Sequence, residues 1–327
     1  MPSVLTTAQT TGPGFSALLT ATRDVYSAEI YFQAQPNLRF DQFATRKEEL
    51  GTAPGANIVM PKFGNIKRGG QLTEGVRLQT KSMAMSTINI TVAEQGNAIG
   101  LTERLLQTSF YDNLAAAAMM LGRDMAIVLD TELRDVVRYG TTKVYANDKT
   151  SRGALATGDV FTTNEVLNAN EAMETNNAPK WGNDFYVAFA HPHQLTGLRK
   201  SAGWINAAHY AGAMPIFYGE VGRFNDFRFV STSMMANGKN SVLDPSGDYA
   251  DPGYDPLLDP LATGGLLTTI YQAVVFGEYA YGHAIALPVE LRDNGIQDFG
   301  REHALAWYAI WGQGLLETKN SLVIETA

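Results

Sequence analysis

The sequence predicts a mixed α+β fold organised around one long helix, on three observations. Apolar residues alternate with period two through much of residues 56–95, as half-buried strands do. A proline-free stretch from Ser109 to Tyr139 carries one apolar stripe at helical spacing. Short runs rich in aromatic and β-branched residues fill the second half, separated by turn-forming Gly, Pro and Asp. With 327 residues, 45% hydrophobic and 18% charged, the composition is globular and the length suits about two domains.

The first tract is rich in Thr, Ser, Ala and Gly and reads as an extended arm, because no periodic apolar residues dock it. A helix is predicted from about Ala21 to Gln33, anchored by Val25, Ile30 and Phe32 and stopped by Pro36. After Gly51-Thr52-Ala53-Pro54-Gly55, a strand is predicted at Asn57–Met60, then an exposed basic turn at Lys67-Arg68-Gly69-Gly70. Val76–Lys81 alternates again. The apolar phase then slips from Met83 and Met85 to Ile88, Ile90 and Val92, which predicts a bulge or kink in a long hairpin. A two-stranded ribbon is marginal in water. It must lie on its own chain or on a neighbouring subunit.

The helical stripe is Leu114, Ala118, Leu121, Met125, Leu129, Leu133 and Val136, with Ser109 as N-cap and Gly140 as C-cap. Such a helix is a rod of roughly 45 Å. A shorter helix is predicted over Asp159–Asn176 and a buried strand over Phe185–Ala190, ending at His191-Pro192-His193, where another helix starts. Tyr218–Phe224 leads into a strand at Phe227–Val230. A loop spans about residues 238–265, with Asp-Pro pairs at Asp244, Asp251, Asp255 and Asp259. Further strands are expected in Leu266–Phe276, Tyr281–Leu287, Ala304–Trp311 and Ser321–Ile324; Ala304–Trp311 is apolar on both faces, as a central strand is.

The absence of cysteine removes disulfides, zinc fingers and thiol chemistry. Net charge −8 argues against a dedicated nucleic-acid binder, yet the charge is uneven: +2 over residues 1–110, −2 over 111–200 and −8 over 201–327. Met1–Thr22 holds no charge and no basic n-region, and the uncharged run Leu261–Gly277 is broken by Gly, Thr and Gln, so neither a signal peptide nor a membrane span is expected. No phosphate-loop, dinucleotide, nucleophile-elbow or zincin motif occurs, so no catalytic residue and no cofactor site is assigned.

Three constellations have competing readings. His191 and His193 are a potential metal pair or a strand-to-helix corner, and Pro192 between them favours the corner. Asp248, Asp251 and Asp255 are weak calcium candidates that lack the spacing of a calcium loop; a solvated loop is favoured. Trp307, Tyr308 and Trp311 form a stacking platform if exposed and core if not, and core is favoured.

Thr22–Ser27 with Leu38–Phe40, Lys67–Gly70 with Leu72–Val76, Leu129–Asp135, His191–His193 with Gly219–Arg223, Leu287–Asp293 and Leu305–Tyr308 together resemble one subfamily of tailed-bacteriophage major capsid proteins, with the Hong Kong 97-type coat fold. The resemblance implies residues 1–35 as an N-terminal arm and 36–96 as an extended loop across a neighbour. It implies 97–180 as a peripheral domain with a spine helix near 109–140, 181–290 mainly as an axial domain, and 291–327 as strands returning to the peripheral domain. Lys67, Arg68, Gly69, Gly70, Arg77 and Lys81 become candidates for inter-subunit contact. The expected function is a non-enzymatic coat protein forming pentamers and hexamers of an icosahedral shell around double-stranded DNA, touched weakly and without sequence preference. Expected partners are a separate scaffolding protein, a portal and decoration proteins, with no membrane; expected localisation is the virion, after assembly in the bacterial cytoplasm. An encapsulin-like compartment shell and a metal-dependent enzyme using His191 and His193 are the alternative readings.

Overall fold

A computed structural model describes residues 39–48, 57–64, 66, 68–71, 74–75, 77–78, 80–108, 113–140, 142–182, 184–201, 220–239, 253–260 and 266–327. The predicted helix at 21–33 and the Ser109 cap lie outside them. The elements are β1 (Thr45–Lys47), β2 (Asn57–Phe63), β3 (Met85–Thr91), β4 (Ala93–Thr102), α1 (Glu103–Thr108), α2 (Asn113–Arg138), β5 (Thr142–Tyr145), α3 (Thr163–Thr175), β6 (Tyr186–Ala190), α4 (Pro192–Lys200), β7 (Glu220–Phe224), β8 (Phe227–Ser231), β9 (Tyr271–Phe276), β10 (Tyr281–Gln297), β11 (Glu302–Leu315) and β12 (Ser321–Thr326).

They form a four-stranded sheet in the order β1-β10-β11-β4, a six-stranded sheet in the order β5-β12-β9-β6-β8-β7, and the two-stranded ribbon β2-β3. The long helix α2 packs against both larger sheets. Its buried stripe, including Ala118, Leu121, Met125, Leu129 and Leu133, shares one core with Leu305, Trp307 and Trp311 of β11 and with Val187, Phe189, Val274, Phe276 and Val323 of the six-stranded sheet. Alternate residues of the same strands, Tyr186, Ala188, Val275, Leu322 and Ile324, meet Val166 and Met173 of α3 and Leu195 and Leu198 of α4 in a second core. Both faces of these strands are therefore covered, which is why β6 reads as a continuous apolar run rather than an alternating one.

The register between α2 and β11 is set by two hydrogen bonds. The Trp307 indole N–H donates to Asp124 at 2.8 Å and the Trp311 indole N–H to Glu132 at 2.7 Å. Eight residues of helix rise about 12 Å and four residues of strand about 13 Å, so the two carboxylates and the two indoles match in spacing. The rings stack at 5.7 Å, both buried, while Tyr308 points to the other face, under the Arg292 guanidinium.

Several elements differ from the sequence expectation. Helix α3 starts at Thr163 rather than near Asp159, because Asp159 is held in a turn by Ala156 N–H and the Asn147 amide while Thr162 and Glu165 form a capping box. Short α1 has no counterpart in the sequence reading. The described part of 76–81 forms no strand; ribbon pairing runs without a bulge from Asn57↔Thr91 to Phe63↔Met85. The Met83–Met85 phase slip instead reflects Met85 lying on the ribbon face opposite Ile88 and Ile90. Register shifts occur in β10–β11, two of them around Pro288, which has no N–H for the ladder, and a third between Asp293 and Ile296. The last two strands also part company: β11 pairs with β10 and β4, whereas β12 lies between β5 and β9 in the six-stranded sheet.

Candidate assembly surface

The ribbon β2–β3 has two unlike faces. On the inner face, Ile58 and Ile90 are buried with Ala284, and Met60, Val92 and Leu316 pack against them. Ile90 sits in a notch of β10 and β11 where Gly312 and Gly314 stand in place of larger residues: a Cβ on Gly312 would lie 2.1 Å from the Thr91 carbonyl oxygen, and one on Gly314 2.9 Å from Ile90 Cγ1. Lys62 forms an ion pair with Glu317, fixing the far end of the inner face. Burial alone would raise the Glu317 carboxyl, but its bonds to Lys62 and Lys319 N–H hold it below the ordinary glutamate value.

On the outer face, Val59, Pro61 and Phe63 of β2 line up with Asn89, Thr87 and Met85 of β3. Val59, Phe63 and Met85 are 57%, 60% and 59% exposed, and Ile66, Leu78 and Met83 of the connecting segment are as open. Val59, Phe63 and Met85 thus hold apolar side chains in water along the ribbon face turned away from its buried cluster.

Of the residues singled out by sequence, Arg68, Gly69, Gly70, Arg77 and Lys81 are all exposed on the segment joining β2 to β3; Lys67 lies outside the described residues. Lys81 Nζ donates to the Arg68 carbonyl at 2.9 Å, which brings these two together. A Cβ at Gly69 or Gly70 would meet nothing within 4 Å, so neither glycine serves a close approach within the subunit. The apolar outer face is not marked in the sequence: the alternation of Asn57–Phe63 separates two faces, both carrying apolar residues, and does not say which one docks.

The other candidates have local roles. His191 caps α4, its Nδ1 accepting the His193 N–H at 3.2 Å, and both imidazoles pack on Tyr271. Asp255 is ion-paired with Arg138 and accepts the Leu257 N–H; burial pushes its carboxyl up, and these bonds bring it below the ordinary value. Asp248 and Asp251 lie outside the described residues. Among the described residues no group of three or more His, Asp or Glu side chains is placed to hold a metal ion, and no helix is long and apolar enough to cross a membrane.

A sequence profile of the phage capsid protein family matches residues 85–311, from the start of β3 into β11. The chain belongs to the phage capsid protein family. No curated protein matches its sequence. Among solved structures, the capsid of Ralstonia phage GP4 is 18% identical and aligns over 87% of both chains with a TM-score of 0.63. The capsid of cyanophage Pam1 is 13% identical over 87% of this chain and 88% of that one, with a TM-score of 0.65. The mature capsid of bacteriophage PhiM1 is 15% identical over 89% and 87%, with a TM-score of 0.62. The fold is the Hong Kong 97-type α+β coat fold expected from the sequence, and the chain is a major capsid protein of the virion.

Proposed function

We propose that each copy of this coat protein holds its neighbour through the outer face of the β2–β3 ribbon, and that repetition of this contact closes an icosahedral shell of pentamers and hexamers. The observation that carries this reading is the apolar face of Val59, Phe63 and Met85 on a ribbon whose inner face is already docked. Burying apolar surface contributes about 25 cal/mol per Å². One ribbon contact is weak alone, and a subunit held by several neighbours at once gains avidity. The exposed Arg68, Arg77 and Lys81 supply polar pairing at the margin of that contact. In this reading α2 with the four-stranded sheet serves as the peripheral domain and the six-stranded sheet as the axial domain. The shell then takes double-stranded DNA by weak non-specific contact, in keeping with net charge −8, and assembles in the host cytoplasm with a separate scaffolding protein and a portal.

Electron microscopy of the purified full chain and of a Val59→Ser, Phe63→Ser double variant tests this. The expected result is closed shells from the wild type and small oligomers from the variant, with unchanged circular dichroism and thermal midpoint. Shells formed equally well by the variant would overturn it.

A further inference from the structure

The segment that leads into β1 is fastened to the body by a buried polar cluster that the coat reading does not use. Phe40 and Phe43 are buried where the two large sheets meet α2, with the Phe40 ring 4.3 Å from Phe189 and Phe43 edge-on to Trp181 and Phe276. The backbone N–H groups of Arg39 and Phe40 both donate to one oxygen of Asp130, at 3.0 and 2.9 Å. The Tyr281 hydroxyl donates to the Phe40 carbonyl at 2.5 Å, and Asp41 accepts from His283 at 2.9 Å and pairs with Arg46. Asp130 lies on α2, is 1% exposed, and its second oxygen, Oδ2, has no hydrogen-bond partner.

That orphaned oxygen is the informative atom. A carboxylate buried with one oxygen unsatisfied is a poor resident of an apolar core. A carboxylic acid protonated on Oδ2 keeps Oδ1 as the acceptor for both N–H groups and removes the charge. We propose that Asp130 is a proton-operated fastening for residues 39–47: taking up a proton on Oδ2 seats this segment more firmly, so mild acid tightens the lead-in to β1 and neutral pH loosens it.

The charged and titratable groups facing this site are Arg39, Asp41 and Arg46 on the fastened segment, Arg134 one turn along α2, and Tyr281 and His283 on β10; the six-stranded sheet meets Phe40 with the apolar Phe189. Burial pushes the Asp130 carboxyl up to about 6, against the lowering effect of the two N–H bonds, Arg39 and Arg134. Asp41 goes the other way: burial would raise it, but His283 and Arg46 hold it below the ordinary value, so it stays ionised through the range in which Asp130 titrates. When the segment detaches, Asp130 meets water and its pKa returns toward about 4. The fastened state therefore binds the proton more tightly, and its added stability is full below about pH 4 and lost as pH rises through about 6.

Hydrogen exchange of the residue 39–47 amides in the full chain tests the proposal, after correction for intrinsic exchange. Protection should rise roughly tenfold from about pH 7.5 to about pH 5. An Asp130→Asn variant, uncharged at both values, should lose that slope. Tyr281→Phe should lower protection at both values and keep the slope. Flat or falling wild-type protection overturns the proposal, as does an unchanged slope in Asp130→Asn; if that variant does not fold, the wild-type slope together with Tyr281→Phe decides.

Discussion

The body of two sheets and their helices and the β2–β3 ribbon obey opposite rules. In the body, β6, β8, β9 and β12 alternate their side chains between two cores, and a buried charge finds its partners within the subunit: Glu325, with no exposed side chain, is gripped by Arg152 through two bonds of 2.7 and 2.5 Å and by Gln272 at 2.9 Å. In the ribbon, one face is docked in a glycine notch and the other presents its largest side chains to water. The difference teaches that the body buries its own apolar surface, whereas the ribbon leaves one apolar face over, the face proposed above to meet another copy.

The comparison breaks most sharply at Glu325. Burial would raise its carboxyl, but Arg152 and Gln272 hold it below the ordinary value, so Glu325→Ala leaves the half-buried Arg152 guanidinium and the buried Gln272 amide without their partner. It should destabilise the body by about 3–5 kcal/mol in chemical denaturation. Leu133→Ala, in the core beneath both sheets, should remove about 2–4 kcal/mol by the same measurement. At the junction of the two regions, Gly312→Ala drives a Cβ into the Thr91 carbonyl and should lower stability by about 1–3 kcal/mol. It should also raise protease sensitivity near Thr91. On the ribbon itself, Phe63→Ser should shift the isolated subunit's stability by no more than about 0.5 kcal/mol while abolishing assembly; a large stability loss there would erase the distinction. Acid sharpens it further. Glu325, Asp41 and Asp255 are all held below ordinary carboxylate values, so their stabilisation is present above about pH 4 and lost as pH falls further, opposite in sign to Asp130. The denaturation midpoint followed against pH should fall in that acid range.

Local order was legible in the sequence where one periodicity ran long enough. Helix α2 is readable because its stripe persists for about six turns, and β6 and the Leu322–Ile324 stretch of β12 because strands covered on both faces leave apolar runs. The corner at His191 follows from its Pro and capping residues. Pairing across the chain was not legible: nothing in Ser321–Thr326 says that it sits between β5 and β9, since its neighbours lie far away in sequence. The contact candidates at Arg68–Gly70 came from turn chemistry, while the exposed Val59 and Phe63 were hidden because an alternating strand looks the same whichever face is docked. Asp130 was hidden for a related reason. A lone acid in a helical stripe reveals its burial only through a partner 90 residues away, the Phe40 N–H.

The place of β12 has a consequence for the order of events during synthesis. The six-stranded sheet has β5 on one side of β12 and β9 on the other, so β5 has no partner until residues 321–326 leave the ribosome. A chain interrupted anywhere before them is left with open strand edges and a divided core.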